Sequence, residues 1–147
     1  LRKIDLLRRA GAAVSVVAHD LHPDLRKLAD HAALVHLGPA FNPGLVTGCR
    51  LVVAATDDAD ENRRVAQACA EAGIAVNVVD NTELSSAIMP SIVERAPVMV
   101  AIGTGGAAPV LARRLRERIE ALLPAAYGRI AAFMEGNRAR IQQRLPK

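Results

Sequence analysis

Residues 50–58 read Arg-Leu-Val-Val-Ala-Ala-Thr-Asp-Asp, an unbroken apolar run that stops at a hydroxyl and two carboxylates. A continuous run of this length, rather than an alternating one, suits a strand buried on both faces, as strands of parallel sheets are. Carboxylates immediately after it suit the first turn of a helix, where free N–H groups and the helix dipole favour negative charge. Residues 59–72 have helical periodicity, and Gly73 closes them. A second apolar run, residues 74–79, then ends at Asp80. Strand, helix and strand at this spacing predict a parallel α/β sheet.

The same alternation extends upstream. Leu6, Leu7 and Ala10 fall on one helix face over residues 1–10, and Gly11 is positioned as the stop. Residues 13–18 read as a buried strand, 23–31 as a short helix and 33–37 as a weaker strand. Downstream of Asp80 the pattern changes. Residues 86–89, 91–94 and 98–102 are short extended pieces separated by Pro90 and Pro97, a departure from the doubly wound layout. Gly103-Thr-Gly-Gly106 precedes a helix over 108–123, and Pro124 opens a last helix that exits at Leu145-Pro146. There is no internal repeat and no low-complexity segment.

Composition narrows the function classes. At 147 residues with 51% hydrophobic residues, the chain can bury a core, and wholesale disorder is excluded. Aromatics are 2%, too few for stacking platforms that hold single-stranded nucleic acid. Two cysteines, Cys49 and Cys69, cannot build a disulfide framework or a four-thiolate zinc site, and read as small core residues. The charged, amphipathic start is no signal peptide, and the apolar run 98–102 is too short to span a bilayer. A reducing, cytoplasmic setting is expected, with no membrane and no nucleic acid as partner. The first residue is Leu, so the chain is expected to begin inside a longer gene product. Net charge is uneven. Residues 1–90 carry 9 Lys/Arg against 11 Asp/Glu, and residues 91–147 carry 10 against 4. Sixteen of the 19 basic residues are Arg, the side chain suited to forked recognition of carboxylate or phosphate. Two readings stand: a polyanionic partner for the C-terminal part, or a solvated helix face.

In an open parallel sheet, ligands bind beyond the carboxyl ends of the strands. His19-Asp20, Thr56-Asp57-Asp58 and Asn77 with Asp80 all fall at such ends. A lone Asp there is commonly a helix cap or turn residue, so the coincidence of three clusters on one edge carries the signal. Gly103-Thr104-Gly105-Gly106 before a helix is either an anion cradle or a plain turn. It lacks the Lys-Ser/Thr of a nucleotide P-loop. The four histidines, at 19, 22, 31 and 36, have no acidic or thiolate partner at metal-ligand spacing and suit surface or structural roles. The stripe Val110, Leu111, Leu115, Ile119, Leu122 suits core or subunit packing. The G-x-G-x-x-G dinucleotide fingerprint is absent. The helix at residues 1–10 looks like one that follows such a loop. A further strand is therefore expected between 13–18 and 50–56, in residues upstream of Leu1.

Taken in order, Ala54-Ala-Thr-Asp-Asp58, Asn77-Val-Val-Asp80, Ile88-Met-Pro-Ser91, Val100-Ala-Ile-Gly-Thr-Gly-Gly106 and Pro109-Val-Leu-Ala-Arg113 resemble the siroheme synthase N-terminal module, the precorrin-2 dehydrogenase/sirohydrochlorin ferrochelatase family. The stretch Arg2-Lys3, Leu6-Leu7, Gly11-Ala12 is similar to the helix after that family's glycine loop. The resemblance implies an α/β fold with a Rossmann-like parallel sheet, lacking its first strand and glycine loop here, followed by a dimerisation region and a helical tail shorter than the family's. It implies boundaries of 1–85 for an NAD-binding domain, 86–123 for dimerisation and 124–147 for the tail. It also implies a homodimer that oxidises precorrin-2 to sirohydrochlorin with NAD⁺ and inserts Fe²⁺ to give siroheme. In that family's terms Asp80 is the catalytic aspartate and a transient metal ligand. His19, Asp20, Thr56 and Asp57 meet the cofactor, while Asn77, Thr104, Gly105 and Gly106 meet the tetrapyrrole. The eight carboxylates of that substrate suit the Arg-rich half of the chain. A single oxygen ligand at Asp80 suits a metal that must be released. Rival readings are a chelatase-only module whose NAD site has decayed and a non-catalytic Rossmann dimer that senses a ligand.

Overall fold

The computed structural model describes residues 1–144, and the expected exit at Leu145-Pro146 lies outside them. Internal contacts divide the chain into two compact units, Leu1–Val79 and Asp80–Lys147.

The first unit contains helix α1 (Arg2–Arg9), strand β1 (Ser15–Val17), helix α2 (Pro23–Asp30), strand β2 (Val35–Gly38), a 3₁₀ turn (Pro43–Val46), strand β3 (Leu51–Ala54), helix α3 (Ala59–Glu71) and strand β4 (Ala75–Val78). Helix α1 stops where the sequence places the stop. Gly11 takes φ +77°, its N–H donates to Arg8 O and that of Ala12 to Leu7 O, the paired bonds of a Schellman end. Strands β1 and β2 pair in parallel, with an irregular register between Val16 and Val17, and β3 and β4 pair in parallel from Leu51 opposite Ala75 to Ala54 opposite Val78. The two pairs are separate among the described residues, so β1 and β3 are not hydrogen-bonded to each other. That separation agrees with the sequence reading, which expects a further strand between residues 13–18 and 50–56 rather than a direct pairing of the two.

Helix α3 packs over β3, β4 and the 3₁₀ turn. Val65, Ala66, Ala68 and Cys69 of α3 meet Val46, Ala54, Val76 and Val78 in the buried core of this unit. Each fully buried valine is worth roughly 1.5–3 kcal/mol. Cys69 is wholly buried, and burial pushes its thiol pKa up, with Cys49 adding to the rise. It is a neutral packing group, as the sequence suggests, whereas Cys49, expected in the core as well, is exposed.

The second unit holds strand β5 (Ser91–Arg95), strand β6 (Val98–Ile102), helix α4 (Pro109–Leu122) and helix α5 (Ala126–Arg144). The strands form an antiparallel hairpin from Ser91 opposite Ile102 to Arg95 opposite Val98, closed over a cis Ala96–Pro97 bond. Val93 is its most buried side chain, at 1% exposure. Residues 86–89 are not a strand, contrary to the sequence reading. Local bonds take over ahead of them: Asn81 Oδ1 accepts from Leu84 N (3.0 Å), and Ser85 Oγ donates to Asn81 O (2.6 Å).

Arg95 ties the hairpin to the end of α4. Its Nε donates to Leu123 O (2.9 Å) and it pairs with the Glu120 carboxylate (3.5 Å), a cation placed where the helix carbonyls are unpaired. Helix α5 crosses the hairpin turn at Gly128. A Cβ there would fall within contact distance of Arg95 O and 2.8 Å from Ala96 O, so only glycine permits the approach. No helix among the described residues is long and apolar enough to cross a membrane.

Candidate functional site

Four expected site residues lie in the first unit beyond strand ends. His19 and Asp20 follow β1, with His19 Nδ1 3.0 Å from Asp20 Oδ2 and both side chains strongly exposed. Thr56 and Asp57 follow β3 and are also exposed. Asp58 is the cap of α3. Its Oδ1 accepts from Asp60 N (2.8 Å) and Glu61 N (3.1 Å). Those two backbone bonds, Glu61's foremost, hold its carboxyl below the ordinary range, helped by Arg64 and Arg63. The capping role expected from sequence is therefore occupied by Asp58, leaving Asp57 exposed and without a protein partner among the described residues.

Asn77 sits within β4 opposite Val53 and, at 6% exposure, is the one buried polar residue among the described residues. Its Oδ1 accepts a 2.7 Å hydrogen bond from Lys3 Nζ, joining α1 to β4 across 74 residues. Lys3 stands in the Arg2-Lys3 stretch that carries the resemblance, but nothing in the sequence pairs it with Asn77.

The histidines have partners that explain them locally. The His22 ring accepts from Asp24 N at the start of α2, His31 Nδ1 lies 2.7 Å from Lys27 O, and His36 Nε2 lies 2.9 Å from Ala18 O. Among the described residues no group of three or more His, Cys, Asp or Glu could hold a metal ion.

In the second unit Asp80 is exposed and adopts φ +57°. Left-handed backbone is uncommon outside glycine, though Asp tolerates it better than most, and such residues cluster at functional sites. The Asn81–Ser85 turn follows directly. Within this unit the segment after Asp80 also meets the glycine loop. Gly106, at φ +82°, leaves no room for a Cβ because the Thr82 side chain fills that space, with Thr82 Cβ at 3.4 Å and Ile88 Cδ1 at 3.9 Å. Gly105 is likewise left-handed at φ +60°. Thr104 Oγ1 accepts from Ala108 N (3.3 Å), and Ala107 N donates to Thr104 O (3.0 Å). The loop is thus a defined turn with Thr104 bonded toward the start of α4.

Comparison with known proteins adds the family. A family model described as "Putative NAD(P)-binding" matches residues 1–91, and one described as "Sirohaem biosynthesis protein central" matches residues 97–122. The chain belongs to the NAD(P)-binding family that the first model describes, and it is similar to the siroheme synthase N-terminal module over nearly its whole length. Siroheme synthase of Methylobacillus flagellatus is 51% identical over 97% of this chain and 31% of its own length. Siroheme synthase of Thioalkalivibrio sulfidiphilus is 51% identical over 99% of this chain and 30% of its own. The chain of this module therefore spans about a third of the length of those curated relatives. A solved structure titled "SirC, precorrin-2 dehydrogenase" superposes with a TM-score of 0.78 at 23% identity, covering 99% of this chain and 71% of that one. That likeness establishes the α/β fold, with its parallel strands and helices.

Proposed function

We propose that this module oxidises precorrin-2 to sirohydrochlorin, passing a hydride to NAD⁺ and releasing a proton. The observation that carries the reading is the set of polar residues at the carboxyl ends of both parallel pairs in the NAD(P)-binding family region, Asp20 after β1 and Thr56-Asp57 after β3.

The donor set fits a dinucleotide. Exposed carboxylates at strand ends can accept from ribose hydroxyls, the role acidic residues take in this type of fold. Asp20 and His19 would hold the adenosine side, and Thr56 and Asp57 would line the remainder. When bound, NAD⁺ supplies the hydride acceptor. Asp80 supplies the base: an exposed carboxylate held in a left-handed turn directly after β4, able to take the proton released as the substrate loses hydride. Gly105, Gly106 and Thr104 offer backbone N–H groups and a hydroxyl to substrate carboxylates, whereas Asn77, expected to join them, is buried and bonded to Lys3. Arg113, Arg114 and Arg118 on α4 add positive charge suited to the same anionic substrate.

Chelation is the finer part of the proposal. Fe²⁺ as substrate needs the pyrrole protons removed while the ion enters. Asp80 can accept those protons and offer one oxygen to the metal. A homodimer completes the proposal, built from residues 86–123 with the helical tail of 124–147, while residues 1–85 form the NAD-binding domain.

The test is anaerobic incubation of the protein with precorrin-2 and NAD⁺, followed by NADH absorbance and by the sirohydrochlorin spectrum. Stoichiometric NADH and sirohydrochlorin are expected. Metallation of supplied sirohydrochlorin by supplied Fe²⁺, with no NADH formed from precorrin-2, would instead indicate a chelatase alone.

A further inference from the structure

Asn62 turns its whole side-chain amide back onto one residue. Its Oδ1 accepts from Thr56 Oγ1 (3.0 Å) and Thr56 N (3.4 Å), and its Nδ2 donates to Thr56 O (2.9 Å). The Thr56 hydroxyl also lies 3.0 Å from Asp58 O and accepts from Asp58 N at 3.2 Å. Thr56 is thereby held through its N–H, its carbonyl and its hydroxyl. Helix α3 does not need this clamp for capping, because Asp58 already satisfies the N–H groups of Asp60 and Glu61. Water could also satisfy these exposed polar groups at little cost. What the clamp adds is shape. It joins the end of β3 to the first turn of α3 and fixes the turn 56–58, at whose centre stands Asp57, exposed and without a protein partner among the described residues.

We infer that Asn62 is a positioning residue for the dinucleotide: it holds the Thr56–Asp58 turn in the form that presents Asp57 and the adjoining backbone to the cofactor. The inference rests on the NAD reading above. Its physical basis is preorganisation. A turn ordered before binding spares the ligand the cost of ordering it, and that saving appears in affinity.

The experiment measures NAD⁺ affinity by calorimetry and amide hydrogen exchange without NAD⁺, using the protein as its gene encodes it. Asn62→Ala is expected to weaken NAD⁺ binding about tenfold, equivalent to about 1.4 kcal/mol, and to speed exchange at the Thr56 and Asp58 amides. Asn62→Asp keeps the acceptor but loses the donor, so it should fall between wild type and Asn62→Ala; it also serves should the alanine variant fail to fold. Val65→Ala, a core truncation in the same helix, is the control for lost stability. It should lower the unfolding midpoint while leaving NAD⁺ affinity near wild type. NAD⁺ affinity within twofold of wild type in Asn62→Ala overturns the inference, as does an equal loss in Val65→Ala. Wild-type protein that binds no NAD⁺ overturns the dehydrogenase reading first and this inference with it.

Discussion

At the scale of single residues, two aspartates show how different environments assign different work. Asp58 is engaged by backbone N–H groups that lower its pKa, so its ionised form is favoured in the folded state. A depressed carboxylate pKa contributes stability that is fully present above the unfolded value and lost as pH falls through the folded one. Acid unfolding below about pH 4 should therefore draw partly on Asp58. Asp58→Asn retains a good cap, so its unfolding midpoint at pH 7 should stay close to wild type while its acid limb flattens. Asp58→Ala should lower the midpoint at both pH values, and thermal melts at pH 7 and pH 3 check the pair. Asp80 has the opposite character: exposed, left-handed and outside the core. Asp80→Ala is expected to leave the melting transition intact and cut NADH formation from precorrin-2 by about 10²–10⁴-fold, the usual contribution of a positioned base. Metallation of sirohydrochlorin by Fe²⁺ should fall in the same variant. A near-normal rate in both assays would remove Asp80 from the mechanism. The partners of Asn62 and Lys3 are not legible in the sequence because their bonds span 6 and 74 residues and obey no helix or strand period. Asp58 was legible because capping is local.

Elements repeat that division between local and distant causes. Strand β6 spans Val98–Ile102 as its apolar run indicates, and α3 begins at Ala59 behind its cap. The apolar content of residues 86–89 misled because the preceding Asn81 and Ser85 bonds bind up the backbone in a turn. The glycines at close approaches were only partly readable. Gly106 stands in a visible motif, whereas Gly128 lies inside a helix, where glycine ordinarily costs stability. Its reason is the carbonyl of Ala96 pressed against it. Gly128→Ala should push α5 off the β5–β6 turn and destabilise the second unit by about 1–3 kcal/mol, because neither backbone can yield easily. Denaturant titration measures that loss, and unchanged stability would mean α5 does not need this approach. Gly106→Ala faces both the Thr82 side chain and a positive φ. Pairing it with Thr82→Ala should recover the steric part of its loss but not the backbone part, a separation that a double-mutant cycle resolves.

Over the whole molecule, what remains unsatisfied within the described chain indicates what it would need from outside. The α4 stripe was open between core and subunit packing in the sequence, and Val110, Leu111 and Leu122 are exposed at 66%, 51% and 78%. Ile130, Phe133 and Met134 of α5 are exposed as well. Isolated surface apolar residues are ordinary, but long aliphatic and aromatic side chains on consecutive helices are what an obligate interface covers. The proposed homodimer supplies that cover by an isologous contact, in which the same patch serves both protomers and each exposed residue is buried twice per dimer. An interface of the size stable dimers require, about 1,200–2,000 Å² in total, is within reach of two such helices. Sedimentation at micromolar concentration should give a dimer. Leu122→Arg and Phe133→Glu place unpaired charge in the proposed contact and should each shift it toward monomer, at a cost of several kcal/mol if the site is fully desolvated. Because neither residue belongs to the core of its unit, the circular dichroism spectrum of the monomer should remain that of a folded α/β protein. A wild-type monomer at those concentrations, or charge variants that sediment as dimers, would place the interface on another surface or nowhere.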